Sequence, residues 1–274
     1  MILITGATGN IGNEIVNQLV NKGEQVRIVS RNPKKVSWPV NVDIISGDLT
    51  DTETMKLALD GIQKVYLIHV PGSDEFLQIA KQSGVRHIVF LSSNVVTSKT
   101  ETALVRMHLH TEELLRQSGI KWTFLRPEGF MSNAFQWAGS IKSKGTVYAP
   151  FGDVAEPLID PKDIASVAVE TLINAGHEGK IYPMTGPEMI TPKKQVQILG
   201  EVLEQSIHFE ELSEDVALEN MKKFAPHDIA DAVFQFKRDT RAHPVGTFST
   251  VEELTGRNPR TFRQWASDNA NNFH

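Results

Sequence analysis

The sequence predicts an α/β fold: a doubly wound parallel sheet with a smaller, mainly helical C-terminal lobe. In the first half of the chain, short β-branched and aliphatic runs alternate with stretches of helical periodicity, as in βαβ units. These runs are apolar throughout, which is typical of strands that helices cover on both faces. Beyond residue 190 the pattern is mainly helical.

The elements of the first half follow one another in regular order. We expect strands over residues 2–5, 25–30, 42–46, 64–70, 87–93 and 121–127. Helices are expected between them, over residues 11–23, 51–61, 74–84 and 102–119. Each of these helical stretches ends at a glycine, which readily takes the left-handed backbone found after a helix C-terminus.

The second half is less regular. We expect a helix over residues 132–145, a loop-rich stretch over 146–158, a helix over 161–176 and a last strand over 180–186. A proline stands at the start of the helix at 161, where its missing N–H costs nothing. From Thr191 onward, helical patterns are separated by Pro226, Pro244 and Gly246.

Composition narrows the class of protein. At 274 residues, 40% hydrophobic and 22% charged, the chain has the composition of an ordinary globular protein. With no cysteine, it has no disulfide, no thiolate nucleophile and no Cys-based zinc site. The net charge of −5 argues against a general nucleic-acid binder. Without a long apolar run or a signal-peptide pattern, we expect a cytoplasmic protein with no membrane partner.

Three glycines follow the first predicted strand directly, spaced Gly6-x-x-Gly9-x-x-Gly12. Glycine permits the positive φ of a tight turn and lets a pyrophosphate approach the bare backbone at a helix N-terminus. Because a predicted strand precedes the motif and a predicted helix follows it, the pattern indicates a Rossmann dinucleotide site. The alternative is a tight turn that binds no ligand.

The end of the second strand indicates which dinucleotide is bound. NAD-binding folds usually carry Asp or Glu there to hold the ribose 2′-hydroxyl. In this chain Arg31 stands at that place, followed by Lys34 and Lys35. A guanidinium can bind a 2′-phosphate through paired hydrogen bonds, so we predict NADPH as cofactor, with NADP preferred over NAD. The alternative is that Arg31 is a solvated loop charge.

The predicted cofactor contacts lie on the glycine loop and at the carboxyl ends of the strands. They are Gly6, Thr8, Gly9, Asn10, Ile11, Gly12, Ser30, Arg31, Lys35, Asp48, Leu49, His69, Val70, Pro71, Ser92, His108 and Pro127. Asp48 fits an adenine contact, although its place beside Thr50 and Asp51 equally suits a helix cap. The backbone of residues 69–71 is expected beside the cofactor ribose.

Several separate segments carry a family resemblance. They are TGATGNIG, the SRNP after strand two, GDLTD, the LSS of strand five, HLHTEELLRQSGIKWTFLRP and the tail VEELTGRNPRTFRQW. Together they resemble the NmrA-like atypical short-chain dehydrogenases/reductases, most closely the NAD(P)H-dependent quinone oxidoreductase and triphenylmethane reductase type. The resemblance implies an NAD(P)-binding domain over 1–186, with 130–158 contributing to the cleft, and a substrate-side lobe over 187–274.

The superfamily's catalytic pair is missing. That larger group uses Tyr-x-x-x-Lys on the helix after strand five, in which tyrosine donates the proton. None of the chain's three tyrosines has a lysine four residues on, and the corresponding positions read Leu104 and His108. This argues against alcohol dehydrogenation and sugar epimerisation. Reduction of a quinone or a cationic dye depends less on a strong acid.

Two residues are tentative catalytic candidates. His108 could hydrogen-bond the nicotinamide ribose in place of lysine or donate a proton, since an unperturbed histidine titrates near neutral pH. The alternative is a histidine at a packed interface. Ser92 at the tip of strand five could bond the substrate or the carboxamide, or cap the next turn. We expect no metal site.

The predicted acceptor site is an aromatic wall. Its candidates are Phe130, Met131, Trp137 and Phe151, each of which could equally belong to the core. We therefore expect an NADPH-dependent reductase of quinone-like or other conjugated aromatic acceptors, acting by direct hydride transfer. A homodimer is compatible with this interpretation. The alternative is an NADP(H)-sensing regulatory protein of the NmrA type with little or no turnover.

Overall fold

The computed structural model describes residues 1–70 and 72–274, without the side chain of Lys35. Pro71 and the Lys35 side chain, both predicted cofactor contacts, therefore lie outside the described residues.

The described strands are β1 Ile2–Ile4, β2 Val26–Ser30, β3 Val42–Ser46, β4 Lys64–Leu67, β5 His87–Leu91, β6 Lys121–Pro127, β7 Thr146–Ala149, β8 Lys180–Met184 and β9 His208–Glu211. Seven of them form the main sheet, all parallel, in the order β3-β2-β1-β4-β5-β6-β8. The strand order reverses between β1 and β4, and such a reversal opens a crevice at the carboxyl ends of the strands. The predicted doubly wound parallel sheet is confirmed.

Helices cover both faces of this sheet and form most of the smaller lobe. They are α1 Asn10–Asn21, α2 Thr52–Leu59, α3 Ser73–Gln82, α4 Ala103–Ser118, α5 Ala138–Lys144, α6 Pro161–Ile173, α7 Pro192–Leu203, α8 Glu214–Lys222, α9 His227–Ala242, α10 Thr250–Thr255 and α11 Phe262–Asp268. Within the described ranges, none of them combines the length and apolar character that crossing a membrane would require.

Strand β1 shows why the strands are apolar throughout. Ile2 and Ile4 point into the core that α1 and α6 cover, whereas Leu3 points into the core beneath α2, α3 and α4. All three side chains are buried, because successive strand residues face opposite sides and both sides are covered.

The predicted helix over 132–145 starts differently from the expectation. Residues Met131–Trp137 form a 3₁₀ turn, and the α-helix begins only at Ala138. In a 3₁₀ helix residues three apart lie on one face, and Met131, Ala134 and Trp137 are all buried there. Burial of side chains at this three-residue spacing favours a 3₁₀ turn over an α-helix here.

The expected loop-rich stretch over 146–158 contains strand β7, which pairs in parallel with β9. The smaller lobe therefore has a two-stranded sheet as well as helices. Its core joins Met131, Trp137 and Ile141 to residues of α7 and α11. A domain boundary at residue 186 remains a prediction, and this core draws on residues from both sides of it.

The tail segment of the family resemblance fixes the C-terminus to the start of α6. Arg260 donates from Nε to Asp160 Oδ2 (2.7 Å) and from its backbone N to Asp163 Oδ2 (2.6 Å). Thr261 and Gln264 form a capping box that starts α11. Phe262 and Trp265 of α11 then pack into the core of the smaller lobe.

Candidate functional site

The glycine loop forms a cradle at the start of α1. Gly6 has φ +63°, in the left-handed region, and Gly9 is the N-cap of the helix. A Cβ added to Gly12 would lie 2.3 Å from Gly6 O and 2.9 Å from Ala7 Cα, so the helix packs this closely only with glycine. No described side chain caps α1, which leaves its first-turn N–H groups available to an anion. The cradle fits a dinucleotide pyrophosphate.

Thr5 joins β1 to β4 at the crevice. Its hydroxyl donates to Tyr66 O (3.0 Å) and accepts from the backbone N of Ile68 (2.8 Å). Ile68 in turn lies against Gly6, where an added Cβ would be 2.7 Å from Ile68 Cδ1. The sequence indicated no role for Thr5, which lies within the apolar run of the first predicted strand.

Arg31 is highly exposed, with 82% of its side chain accessible, and its Nη1 lies 3.8 Å from Asp48 Oδ2. An exposed pair at this distance contributes less than about 1 kcal/mol, so the guanidinium can turn to a bound anion. Hydrogen bonds from the backbone and side chain of Thr50 lower the pKa of Asp48. Asp51, not Asp48, caps α2 by accepting from Thr54 N (2.8 Å), so the cap alternative for Asp48 is wrong.

The neighbouring predicted contacts are held by local structure. Ser30 Oγ accepts from the backbone N of Asn32 (3.1 Å), which shapes the turn after β2. Leu49 and Val70 are buried in the core under α2 and α3, so their backbones rather than their side chains are available to a ligand. Pro127 ends β6, in register with Met184 of β8.

A fully buried glutamate on α4 links the helix to two strands. Glu112 accepts from Arg126 Nε (2.9 Å) and Nη2 (2.6 Å) on β6, and from Ser92 Oγ (2.7 Å) after β5. Arg116 adds a bond of 2.9 Å. Burial alone would raise the pKa of Glu112, but the hydrogen bonds from Arg126 and Ser92 outweigh it and lower the pKa.

This network connects two of the segments that carried the family resemblance, the LSS of strand five and HLHTEELLRQSGIKWTFLRP. Glu112 of HLHTEELL and Arg126 of FLRP form one buried ion pair, although they are 14 residues apart in the chain. Ser92 serves the same network through its hydroxyl. The turn cap that was the alternative role for Ser92 is formed by its neighbour Ser93, whose Oγ accepts from Val95 N (3.2 Å).

His108 faces a packed environment. Its Nδ1 is buried and has no hydrogen-bond partner among the described residues, while the residue as a whole is half-buried. Burial, with a smaller contribution from nearby His69, lowers the pKa of His108 to about 4. His69 Nδ1 lies 3.2 Å from Thr111 Oγ1 on the next turn of α4. At neutral pH the His108 ring is uncharged and can hydrogen-bond a ligand only as a neutral imidazole.

A second polar group lies just beyond the carboxyl ends of β5 and β6. Glu128 Oε1 accepts from Asn94 Nδ2, and the backbone N of Glu128 donates to Met184 O (2.9 Å). Burial raises the pKa of Glu128, and the nearby Glu156 adds to the shift. Glu156 itself forms an ion pair with Lys237 of α9.

A cavity of about 900 Å³ opens beside this group. Its aromatic and apolar lining includes Trp137, Tyr148, Phe151, Met221, Phe224 and Phe234. Glu156 and Lys237 also line it, which joins the cavity to the polar group at the end of the sheet. A volume of this size accommodates a flat ligand of two or three rings.

The four predicted wall residues lie in different places. Trp137 and Phe151 line the cavity, as expected for an acceptor wall. Met131 is fully buried in the core of the smaller lobe, and Phe130 packs against the core beneath α1 and α6. Alternating core and cavity positions are difficult to separate by sequence because all four side chains are large and apolar.

Phe151 has an unusual backbone. Its φ is +60°, a conformation that bulky residues rarely adopt. The ring packs on Phe234 with 5.7 Å between centroids, and the Arg241 guanidinium lies 5.6 Å from it. Strained backbone of this kind is maintained by surrounding packing and clusters at ligand sites.

Comparison with known proteins identifies the group to which this fold belongs. The family described as NAD(P)H-binding matches residues 6–175, which include the cradle, Arg31 and the buried network. The chain belongs to the NAD(P)H-binding family. Within this family the predicted binding of a nicotinamide dinucleotide is confirmed, whereas the preference for NADP and the roles of single residues remain predictions.

Three similar proteins are named as reductases or oxidoreductases. The chain is 38% identical to a (4-alkanoyl-5-oxo-2,5-dihydrofuran-3-yl)methyl phosphate reductase of Streptomyces griseus, over 100% of this chain and 99% of the relative. It is 30% identical to an NAD(P)H azoreductase of Xenophilus azovorans, over 100% and 99%. The structure of an NADPH-dependent quinone oxidoreductase of Escherichia coli matches with a TM-score of 0.82 and 26% identity, over 98% of this chain and 99% of that one. The predicted resemblance to the quinone oxidoreductase type is confirmed.

Proposed function

We propose that the chain is an NADPH-dependent reductase of conjugated acceptors, quinone-like or aromatic, that acts by direct hydride transfer. The observation that carries the proposal is the aromatic cavity of about 900 Å³, whose lining residues Glu156 and Lys237 lie near Glu128 at the carboxyl end of β6. In doubly wound folds, the substrate binds at that end, next to the cofactor. The aromatic lining suits a flat acceptor.

The chain's own residues provide the cofactor site. The glycine cradle and the α1 N-terminus bind the pyrophosphate, and Arg31 binds the 2′-phosphate. The neutral His108 ring hydrogen-bonds the ribose hydroxyl, which replaces one role of the missing lysine. When bound, NADPH supplies a hydride, and the protein contributes orientation and exclusion of water.

The names of the relatives support this acceptor class. One is named for reducing an oxo-dihydrofuran, which is an unsaturated lactone, and another for reducing azo compounds. A third, known from its structure, is a quinone oxidoreductase. A conjugated unsaturated system that accepts two electrons is common to these three acceptors.

None of the three tyrosines belongs to the superfamily's Tyr-x-x-x-Lys pair. Tyr66 is fully buried in the sheet, its hydroxyl has no partner there, and burial raises its pKa. Tyr182 bonds His177 Nδ1 (2.8 Å) at the far edge strand. Tyr148 lines the cavity, with glycine rather than lysine four residues on. The absence of the Tyr-x-x-x-Lys pair favours acceptors that are easily reduced.

A turnover panel tests the proposal. Purified protein is mixed with NADPH and, separately, a naphthoquinone, an azo dye and a cationic triarylmethane dye, and the loss of NADPH absorbance is followed. We expect saturable oxidation of NADPH with at least one of them. Tight NADPH binding with no turnover on any acceptor would contradict the reductase and support the NADP(H)-sensing alternative.

A further inference from the structure

Four buried or half-buried polar side chains meet between the end of the sheet and the cavity: Asn94, Glu128, Glu156 and Lys237. Asn94 and Glu128 come from the ends of β5 and β6, where β5 and β6 are adjacent in the sheet. Glu156 and Lys237 line the cavity. The group therefore reaches the cavity through Glu156 and Lys237, and Glu128 lies next to these two lining residues.

The charges in this group are not matched one to one. Lys237 pairs with Glu156, and Asn94 offers Glu128 only a neutral N–H donor. Glu128 is 6% exposed and has no cation of its own among the described residues. A buried carboxyl without its own counter-ion, beside a second carboxylate, favours the protonated form. Burial, followed by the proximity of Glu156, accordingly raises the pKa of Glu128.

We propose that Glu128 is the proton donor of the reaction and gives its proton to the carbonyl oxygen of a neutral conjugated acceptor. The proposal rests on the reductase function proposed above. It assigns to a carboxyl after β6 the task that a tyrosine performs in the larger superfamily. The acceptor class it implies is a quinone or an enone, whose oxygen must be protonated during reduction.

The step balances as follows for an enone. The acceptor gains hydride at carbon, so a C–H bond forms and the π electrons move to the carbonyl oxygen. The O–H bond of Glu128 breaks, its proton goes to that oxygen, and its electron pair remains on the carboxylate. Lys237 lies close enough to lower the pKa of Glu128 in part, so it also stabilises the new carboxylate. Solvent from the cavity then returns a proton to Glu128.

The other titratable groups near the site are less suited to this step. The Ser92 hydroxyl is engaged in its hydrogen bond to Glu112, and His108 is neutral at pH 7 because burial lowers its pKa to about 4. Tyr148 lines the cavity and is the competing donor that the experiment must test.

Two acceptors separate the proton step from hydride transfer. A neutral quinone needs both hydride and a proton, whereas a cationic triarylmethane dye becomes neutral on receiving hydride alone. Glu128→Gln keeps the size and the neutral state of the protonated carboxyl. We expect it to lower kcat/KM for the quinone by about 100-fold or more, the range of general acid catalysis, and to leave the dye rate unchanged.

The controls identify the donor. NADPH affinity, measured by nicotinamide fluorescence, should be the same in E128Q as in the wild type and shows that the variant is folded. Tyr148→Phe should move both rates by the same factor. Equal loss of both rates in E128Q, or a loss confined to the quinone in Y148F, would overturn the assignment of Glu128. A wild type that reduces neither acceptor would instead contradict the reductase function on which the step rests.

A spectroscopic measurement checks the protonation state without turnover. In the isolated chain at neutral pH, the infrared spectrum should contain a C=O stretching band of a protonated carboxyl that disappears in E128Q. The glutamine replaces the acid with an amide, so the difference spectrum isolates this residue. A spectrum that shows only the carboxylate bands of Glu128 would overturn the proposal.

Discussion

His108 occupies the position four residues after Leu104, and its ring is packed against the sheet. The centroid of Phe90 lies 6.2 Å from the imidazole, and His108 Nδ1 has no partner among the described residues. The sequence identified His108 as a candidate site residue but did not predict its charge state, because burial depends on neighbours distant in the chain. The structure favours a hydrogen-bonding role over an acid.

Removal of the His108 ring tests this role. We expect His108→Ala to weaken productive NADPH binding by about tenfold, the equivalent of one hydrogen bond. Because burial lowers the pKa of His108 to about 4, the wild-type rate should show no step from this residue near pH 6.5. Steady-state kinetics from pH 5 to 8 measure both. Unchanged KM and kcat in the variant would assign His108 to packing alone.

Arg31 is the residue on which the proposed preference for NADPH rests. Arg31→Glu should weaken NADPH binding by about 10- to 100-fold, since a charge-assisted pair is lost and a repulsion is added, while NADH binding changes little. Dissociation constants from nicotinamide fluorescence measure both. The matched control is Lys56→Glu. Lys56 is an exposed lysine on α2, so this variant makes the same charge reversal away from the site. Equal loss for both cofactors would show that Arg31 does not bind the 2′-phosphate.

At the scale of elements, α4 is held on the sheet by Glu112 and its two arginines. The β1–loop–α1 unit was predictable because its glycines recur every third residue directly after a strand and serve a local turn. The Glu112–Arg126 pair was not, because charged residues on a helix and a strand end usually face solvent. β9 was missed for a related reason: its HFEE sequence is mostly exposed, and its partner β7 lies about sixty residues earlier.

Loss of the α4 carboxylate should be costly. Glu112→Gln leaves Arg126 buried without its counter-ion, and we expect unfolding free energy to fall by about 3–5 kcal/mol. Urea denaturation followed by circular dichroism measures it. Glu113→Gln is the matched control, since the next residue is exposed and pairs only loosely with Arg116 (3.9 Å). A similar small loss in both variants would contradict the structural role of Glu112.

At the scale of the whole molecule, the seven-stranded sheet bears the glycine loop, and the smaller lobe supplies much of the lining of the proposed acceptor cavity. The parallel sheet and the glycine loop were predictable, because periodicity and glycine spacing are local signals. The cavity was only partly so. Trp137 and Phe151 were expected there, but the Glu156–Lys237 pair joins residues 81 apart, and no local pattern indicates such a contact.

The pH dependence of stability follows from buried histidine. Burial lowers the pKa of His87 to about 4, below the 6.5 of an unfolded histidine. The unfolded chain therefore binds more protons between these values, so stability falls as pH drops from 6.5 toward 4, by up to about 3 kcal/mol for this group. Asp163, whose pKa burial raises to about 6, acts in the opposite direction below that pH.

The contribution of His87 is isolated by substitution. His87→Gln removes the titrating ring while keeping a polar partner for Thr123 Oγ1, which lies 2.9 Å from His87 Nε2. We expect a smaller change in unfolding free energy between pH 6.5 and 4 than in the wild type. Urea titrations at several pH values measure the slope. Identical slopes would show that His87 does not titrate as its burial requires.

Direct hydride transfer is the central claim, and one labelling measurement tests it most directly. The protein is incubated with NADPH deuterated at C4 on one face, or on the other, together with a cationic triarylmethane dye, and the colourless product is analysed by mass spectrometry. The account predicts that one of the two labelled cofactors places a single deuterium on the dye's central carbon. Decolourised product without deuterium from either cofactor would contradict it.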